Sequence, residues 1–225
     1  MEAQTITTST PVQEQVPAEA RVVLRGVSWQ TFKALLADVG DDRAWRFAYD
    51  RGVLEIRMPL LNHEVPKGLI EDFITAVADV LEIEVMKAGA LTLEREDLTR
   101  AVEPDTCFYI QNESRVRGLE EIKLPDNPPP DLAVESDYTS SSLNKFTIYA
   151  SLGVPELWRY RNKTLQVYRL VEGKYEQYTQ SPTFPFLPIV EVPGFIEQSK
   201  TIGQRSAVRS FKTRIREILE NQSSD

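Results

Sequence analysis

Three residues in this chain have side chains that could share one piece of chemistry. Asp105 follows a proline in the strand-like segment EPDTCFYI, Glu135 stands near the end of the short segment DLAVES, and Lys145 lies in the helix-like segment beyond it. Strand alternation places Glu103, Asp105, Cys107 and Tyr109 on one face and Phe108 and Ile110 on the other. Along DLAVE, Asp131, Ala133 and Glu135 point one way, Leu132 and Val134 the other. If these strands pair, Asp105 and Glu135 bring two carboxylates to one magnesium ion, with manganese as the alternative. Such an ion polarises a phosphoryl oxygen and lowers the pKa of a bound water. A neighbouring lysine would orient or activate that water and stabilise developing negative charge. Asp131 and Glu135 stand about 13 Å apart at ~3.3 Å per residue, too far to share one ion. Asp137, two residues past Glu135, is close enough in sequence to join it.

Each of these residues also has an ordinary reading. In its helix, Lys145 has Ile148, Tyr149 and Leu152 at i+3, i+4 and i+7, which puts the ammonium inside an apolar face. A buried ammonium costs several kcal/mol unless it is paired, so Lys145 either reaches a carboxylate or snorkels from the edge of the stripe. Glu135 either joins a site or sits at the sheet rim, since acidic residues are rarely buried unpaired. Glu64 and Glu71 lie off the apolar stripe of the preceding long helix, and Glu71 is expected to be solvated. His63, on the stripe side, is a packing residue or lines the pocket.

The elements that must position these groups are legible in outline. Ser28 opens a helix with Trp29, Phe32, Leu35 and Leu36 at helical spacing, and Gly40 closes it. WRFAYDRGVLEIRMP reads as a hairpin about Asp50, Arg51 and Gly52. The segment from His63 to Leu81 is the strongest helix, with Leu69, Ile70, Phe73, Ile74, Val77 and Leu81 in one stripe. Short strands follow near residues 84–88 and 90–94, and EPDTCFYI is another. LPDNPPP is a stiff connection into DLAVES. The Ser/Thr run from Thr139 to Ser142 is expected to cap the helix that carries Lys145, which ends near Gly153. ELWRY and TLQVYRL form a second hairpin about Asn162 and Lys163, with EQYTQ as a third strand. Trp158 and Tyr160 are read as core or edge aromatics. A final helix covers roughly residues 203–220. Short strands interleaved with two long helices imply one mixed sheet with helices against it.

Composition narrows the chemistry. The 225 residues suffice for one sizeable domain with tails, or for two small ones, and 41% hydrophobic content permits a real core. A net charge of -8 argues against a basic coat for nucleic acid, but a single groove need not follow the average. With one cysteine, Cys107, and one histidine, His63, an intrachain disulfide and a Cys/His zinc cluster are excluded. A metal site must then use oxygen ligands, which favours magnesium, manganese or calcium. No apolar run has transmembrane length and no signal peptide opens the chain, so the expected location is cytoplasmic, without a membrane partner. Positive charge suited to a phosphate backbone concentrates in the last helix, at Arg205, Arg209, Lys212, Arg214 and Arg216, after Lys200. An amphipathic helix packed on the domain, or a dimer contact, explains that stretch equally well.

The ordered segments AWRFAYDRGVLEIRMPLLNHE, LEREDL, EPDTCFYI, PPDLAVES and SSSLNKFTIYASLGVPELWRY resemble the Uma-two family, described as restriction endonucleases of the PD-(D/E)XK nuclease superfamily. The resemblance runs from about Ser28 to Leu170. It implies an α/β, restriction-endonuclease-like fold: a mixed central β-sheet flanked by α-helices, with an N-terminal helix plus β-hairpin. It further implies a magnesium-dependent endonuclease acting on DNA, dimeric so that both strands are reached. Pro104-Asp105 matches the PD of the motif and Glu135 its second acid; Asp105 and Glu135 are the implied metal ligands, and Asp105, Glu135 and Lys145 the implied catalytic set. The superfamily lysine stands two residues after that acid, where this chain has Asp137; Lys145 resembles the migrated lysine of variant sites. His63, Glu71 and Asp137 are additional candidates. The expected organisation is a disordered tail over 1–20, one domain over 21–198, and an amphipathic C-terminal helix with a short tail over 199–225. The competing readings are a module that kept the fold without catalysis and binds nucleic acid or protein, and a structural oligomer in which the Asp/Glu/Lys cluster is only a buried ion network.

Overall fold

A computed structural model describes residues 20–40, 43–58, 61–136 and 143–222, leaving aside the side chains of 61–63. The chain runs β1 (Ala20–Arg25), α1 (Trp29–Val39), β2 (Arg46–Asp50), β3 (Val53–Met58), α2 (Leu61–Leu81), β4 (Met86–Gly89), β5 (Leu93–Arg95), β6 (Arg100–Val102), β7 (Thr106–Tyr109) and the one-turn α3 (Glu113–Val116). It continues through β8 (Leu132–Ser136), α4 (Lys145–Leu152), β9 (Glu156–Arg161), β10 (Thr164–Val171), β11 (Lys174–Tyr178), α5 (Val192–Ile202) and α6 (Gln204–Gln222).

The expected single sheet is two sheets. One is five-stranded and antiparallel, in the order β1-β3-β2-β6-β5; the other is six-stranded, in the order β11-β10-β9-β8-β7-β4. The second is mixed because β8 and β9 run parallel, whereas its other neighbours run antiparallel. A parallel pair needs a crossover, and α4 supplies it. The division into two sheets depends on pairings such as β2 with β6, some fifty residues apart, which no local pattern specifies.

Strand alternation sorts the side chains into layers. Phe108, Leu132, Val134, Trp158 and Val167 face α2, α5 and α6, meeting Leu69, Phe73, Val77, Ile196, Val208, Phe211 and Ile215 in the largest core. Cys107, Ala133 and Leu157 face the other way onto Ile148, Tyr149 and Leu152 of α4. Ala48, Leu93 and Val102 of the five-stranded sheet reach this same cluster, so α4 lies between the two sheets. Phe47, Tyr49 and Leu54 turn outward to pack on Trp29 and Phe32 of α1.

Local signals account for many boundaries. The Ser28 hydroxyl accepts from the Thr31 N–H at 3.1 Å, and Gly40 ends α1 at φ +64°. The hairpin turns place Arg51, Asn162 and Lys163 at positive φ. The Ser/Thr run does not supply the cap of α4: Asn144 does, accepting from Thr147, and Thr139–Ser142 fall outside the described residues. Three basic residues of α6 are tied to acids: Arg205 to Asp72, Lys212 to Asp79 and Arg214 to Glu191. Part of the positive charge expected to face phosphate is therefore offset within the fold. Among the described residues no helix is long and apolar enough to cross a membrane.

Candidate active site

The antiparallel register of β7 and β8 pairs Thr106 with Val134 and Cys107 with Ala133. One further step sets Asp105 opposite Glu135 across the two strands. Both carboxylates lie on the face that α4 covers, at 3% and 2% exposure. Because α4 starts at the end of β8 where Glu135 sits, its first residue reaches back to that acid. Lys145 Nζ donates to Glu135 Oε2 at 2.8 Å, and Tyr149, one turn later on the same helix face, donates its hydroxyl to Glu135 Oε1. Lys145 is thus buried and paired, as the first of its two readings required.

Sequence reasoning missed Arg57. It lies on β3 in the other sheet, fully buried, and its Nη2 donates to Asp105 Oδ1 while standing 3.6 Å from Glu135 Oε2. The signal was present in VLEIRM: Leu54 and Ile56 pack toward α1, so Glu55 and Arg57 point the opposite way. That charged face meets the site instead of water. Arg21 stands beside Arg57 on β1 and lies 3.7 Å from Glu55. Arg159 on β9 is paired in register with Glu135, and its guanidinium lies over the Phe146 ring.

The remaining Asp105 oxygen, Oδ2, accepts from the Ser136 N–H at 2.6 Å. Burial pushes the Asp105 carboxyl up, but the charges of Arg57 and Lys145 and the Ser136 hydrogen bond outweigh it and hold it below the usual carboxylate range. Burial, reinforced by the Glu135 charge, holds the Tyr149 hydroxyl well above its ordinary value, so it stays a donor. Burial also pushes the Cys107 thiol up to about 12. Since the thiolate is the reactive form, native Cys107 is expected to react with a disulfide reagent at pH 8 at least ~100-fold more slowly than in denaturant. Equal rates would show that this face opens readily.

The other candidates stand apart. Glu71 is buried at 7% exposure rather than solvated, because Lys87 of β4 reaches over to pair with it. The backbone of His63 lies in α2, but its side chain is outside the described residues, as is Asp137. Glu103 turns away from Asp105, accepting from Arg43, the Thr92 hydroxyl and the Phe47 N–H. Asp131 organises the loop after β7, accepting from the Ile110 and Asn112 backbone N–H groups at 2.6 and 2.9 Å.

A mixed sheet flanked by helices, with an acidic pair where β7 meets β8, places the chain among restriction-endonuclease-like α/β folds. The chain belongs to the Uma2 family, described as "Putative restriction endonuclease", whose model matches residues 29–199. It is similar to a crystal structure of a "putative nuclease belonging to DUF820" from Anabaena variabilis, with a TM-score of 0.54 and 17% identity, covering 76% of this chain and 99% of that one. At that identity the likeness concerns the fold. Comparison with curated proteins finds no match.

The residues suit a divalent ion in kind. Two carboxylates on adjacent strands supply hard oxygen donors, and magnesium commonly takes only one or two from protein. Each of the four carboxylate oxygens accepts one of the donors described above. Among the described residues no third His, Cys, Asp or Glu completes a cluster around them.

Proposed function

We propose that this chain is a magnesium-dependent endonuclease that hydrolyses DNA phosphodiester bonds at Asp105, Glu135 and Lys145. The observation that carries the reading is the facing of Asp105 and Glu135 across β7 and β8, with Lys145 2.8 Å from Glu135. Asp105 and Glu135 would hold the ion, which when bound supplies phosphoryl polarisation and a more acidic water. Lys145 orients the attacking water and offsets the negative charge that builds on the phosphoryl oxygens. Tyr149 fixes one oxygen of Glu135 and so limits its rotation. Hydrolysis joins the water oxygen to phosphorus and breaks one P–O ester bond, and the departing oxygen takes a proton. Arg159, paired in register with Glu135 on β9, would be the nearest further cation for the phosphate backbone.

The test is nicking of supercoiled plasmid with Mg2+ or Mn2+ by wild type, Asp105→Asn and Lys145→Met. Wild type should nick, and each variant should lose at least the ~100-fold expected for a catalytic group. An inert wild type whose fold is intact by circular dichroism would leave a non-catalytic module as the better account. Variants that cut as well as wild type would remove these residues from the chemistry.

A further inference from the structure

Two carboxylates facing each other in a buried site require about two positive charges nearby if both are to stay ionised. A divalent ion would supply them, and so do Arg57 and Lys145. Lys145 approaches from α4 and contacts only Glu135 among these two acids. Arg57 approaches from the other sheet, with a single nitrogen against Asp105 Oδ1 and 3.6 Å from Glu135 Oε2. That nitrogen lies within ion-pair distance of both carboxylates, the two groups that would hold a divalent ion. A guanidinium cannot shed its charge by losing a proton, unlike a buried lysine. It can leave only by moving.

We propose that Arg57 is a resident counter-cation of the Asp105–Glu135 pair and that a divalent ion must displace it to bind. This deepens the nuclease reading and rests on it. Without the ion, Arg57 keeps the acids together and ionised; with the ion, the guanidinium swings away from Asp105 and becomes free to meet a phosphate. The displacement reaches beyond the site, because Arg57 is carried by β3 and the acids by the other sheet, so ion entry loosens a tie between the two sheets.

The experiment measures Mn2+ binding to the full chain by electron paramagnetic resonance, for wild type, Arg57→Gln and Arg57→Lys. Losing a unit charge about 4 Å from a divalent ion should tighten binding by at least ~10-fold in Arg57→Gln, whereas Arg57→Lys, which keeps a cation there until the ion enters but can give up its proton, should fall between wild type and Arg57→Gln. Because Arg57→Gln leaves two buried acids short of a partner and can fail to fold, a second measurement uses wild type alone. Magnesium titration followed by NMR of the Arg57 guanidinium should release its hydrogen-bonded, slowly exchanging N–H signal as the site fills. Equal Mn2+ affinity in wild type and Arg57→Gln, or an Arg57 signal unchanged at saturation, overturns the displacement while leaving the metal site standing. Absence of Mn2+ binding in all three proteins overturns the metal-dependent reading itself, and this inference with it.

Discussion

Glu156→Ala should lower the melting temperature by about 10 °C, among the largest stability effects expected of one residue in this fold. Glu156 opens β9 at 1% exposure and accepts three neutral donors: Trp158 Nε1 at 2.6 Å, the Ser181 hydroxyl at 2.7 Å and the Thr183 N–H at 2.9 Å. Ser181 in turn accepts from the Phe184 N–H, so one carboxylate fastens the loop that delivers Phe184 into the main core. Alanine removes the acceptor and leaves three donors facing a small void. At about 1–1.5 kcal/mol per orphaned buried group, the low end of the usual range, the total reaches roughly 3–5 kcal/mol, and for a chain of this length each kcal/mol shifts the midpoint by ~2–4 °C. Glu156→Gln should lose less, because its carbonyl can still accept from Trp158 and Ser181, and only the Thr183 N–H, now facing the amide donor, loses its acceptor. Thermal unfolding followed by circular dichroism decides this. A drop under ~2 °C in Ala would mean that these hydrogen bonds do little for the fold, and equal losses in Ala and Gln would mean that the ionised carboxylate, rather than the Trp158 and Ser181 bonds that Gln keeps, carries the effect.

How much of this molecule the sequence discloses depends on the range of the interaction. Features set within a few residues were legible: the Ser28 cap, the Gly40 stop, both hairpin turns, and the α2 stripe that became the floor of the largest core. The pairing of Asp105 with Glu135 could be posed as a condition, because alternation gives the face of each strand though not its neighbour. Features set by distant partners were not legible. Nothing in the hairpin singles out Arg57, since alternation separates two faces without saying which one meets water. Glu71 misled for the same reason, lying off the apolar stripe yet covered by Lys87 of β4. Helix α5 escaped notice because its first turn holds Pro193 and Gly194, which read as loop; proline at the first helical turn loses no hydrogen bond there. Strand β1 was hidden because its pairing with β3 spans about thirty residues and its own side chains are largely exposed.

A double-mutant cycle on Glu135 and Lys145 should separate what this pair does for the fold from what it does for chemistry. Glu135→Leu leaves the Lys145 ammonium buried without its acid and the Tyr149 hydroxyl without its acceptor. Breaking a buried pair from one side typically costs about 3–5 kcal/mol. Lys145→Met should cost less, because Arg57 and Tyr149 still face Glu135. The double variant Glu135→Leu/Lys145→Met removes both charges and puts apolar groups of similar volume beside Ile148 and Leu152. Replacing a buried ion pair by apolar residues is often neutral or stabilising, so the double variant should lose little more than the ~1–3 kcal/mol of the orphaned Tyr149 hydroxyl, well short of the sum of the two single losses. Asp105 and Arg57 remain paired with each other, so no new orphan charge arises from them. Chemical denaturation reads the stabilities, and plasmid nicking reads the chemistry of the same proteins. A double variant that loses no more than the Tyr149 hydroxyl accounts for, yet no longer nicks, would show that the charges are kept for catalysis, since the fold does nearly as well without them. A double variant as unstable as the sum of its parts would show the reverse: the Asp/Glu/Lys cluster would be an ion network that the fold itself requires, and its presence would then say little about nuclease activity.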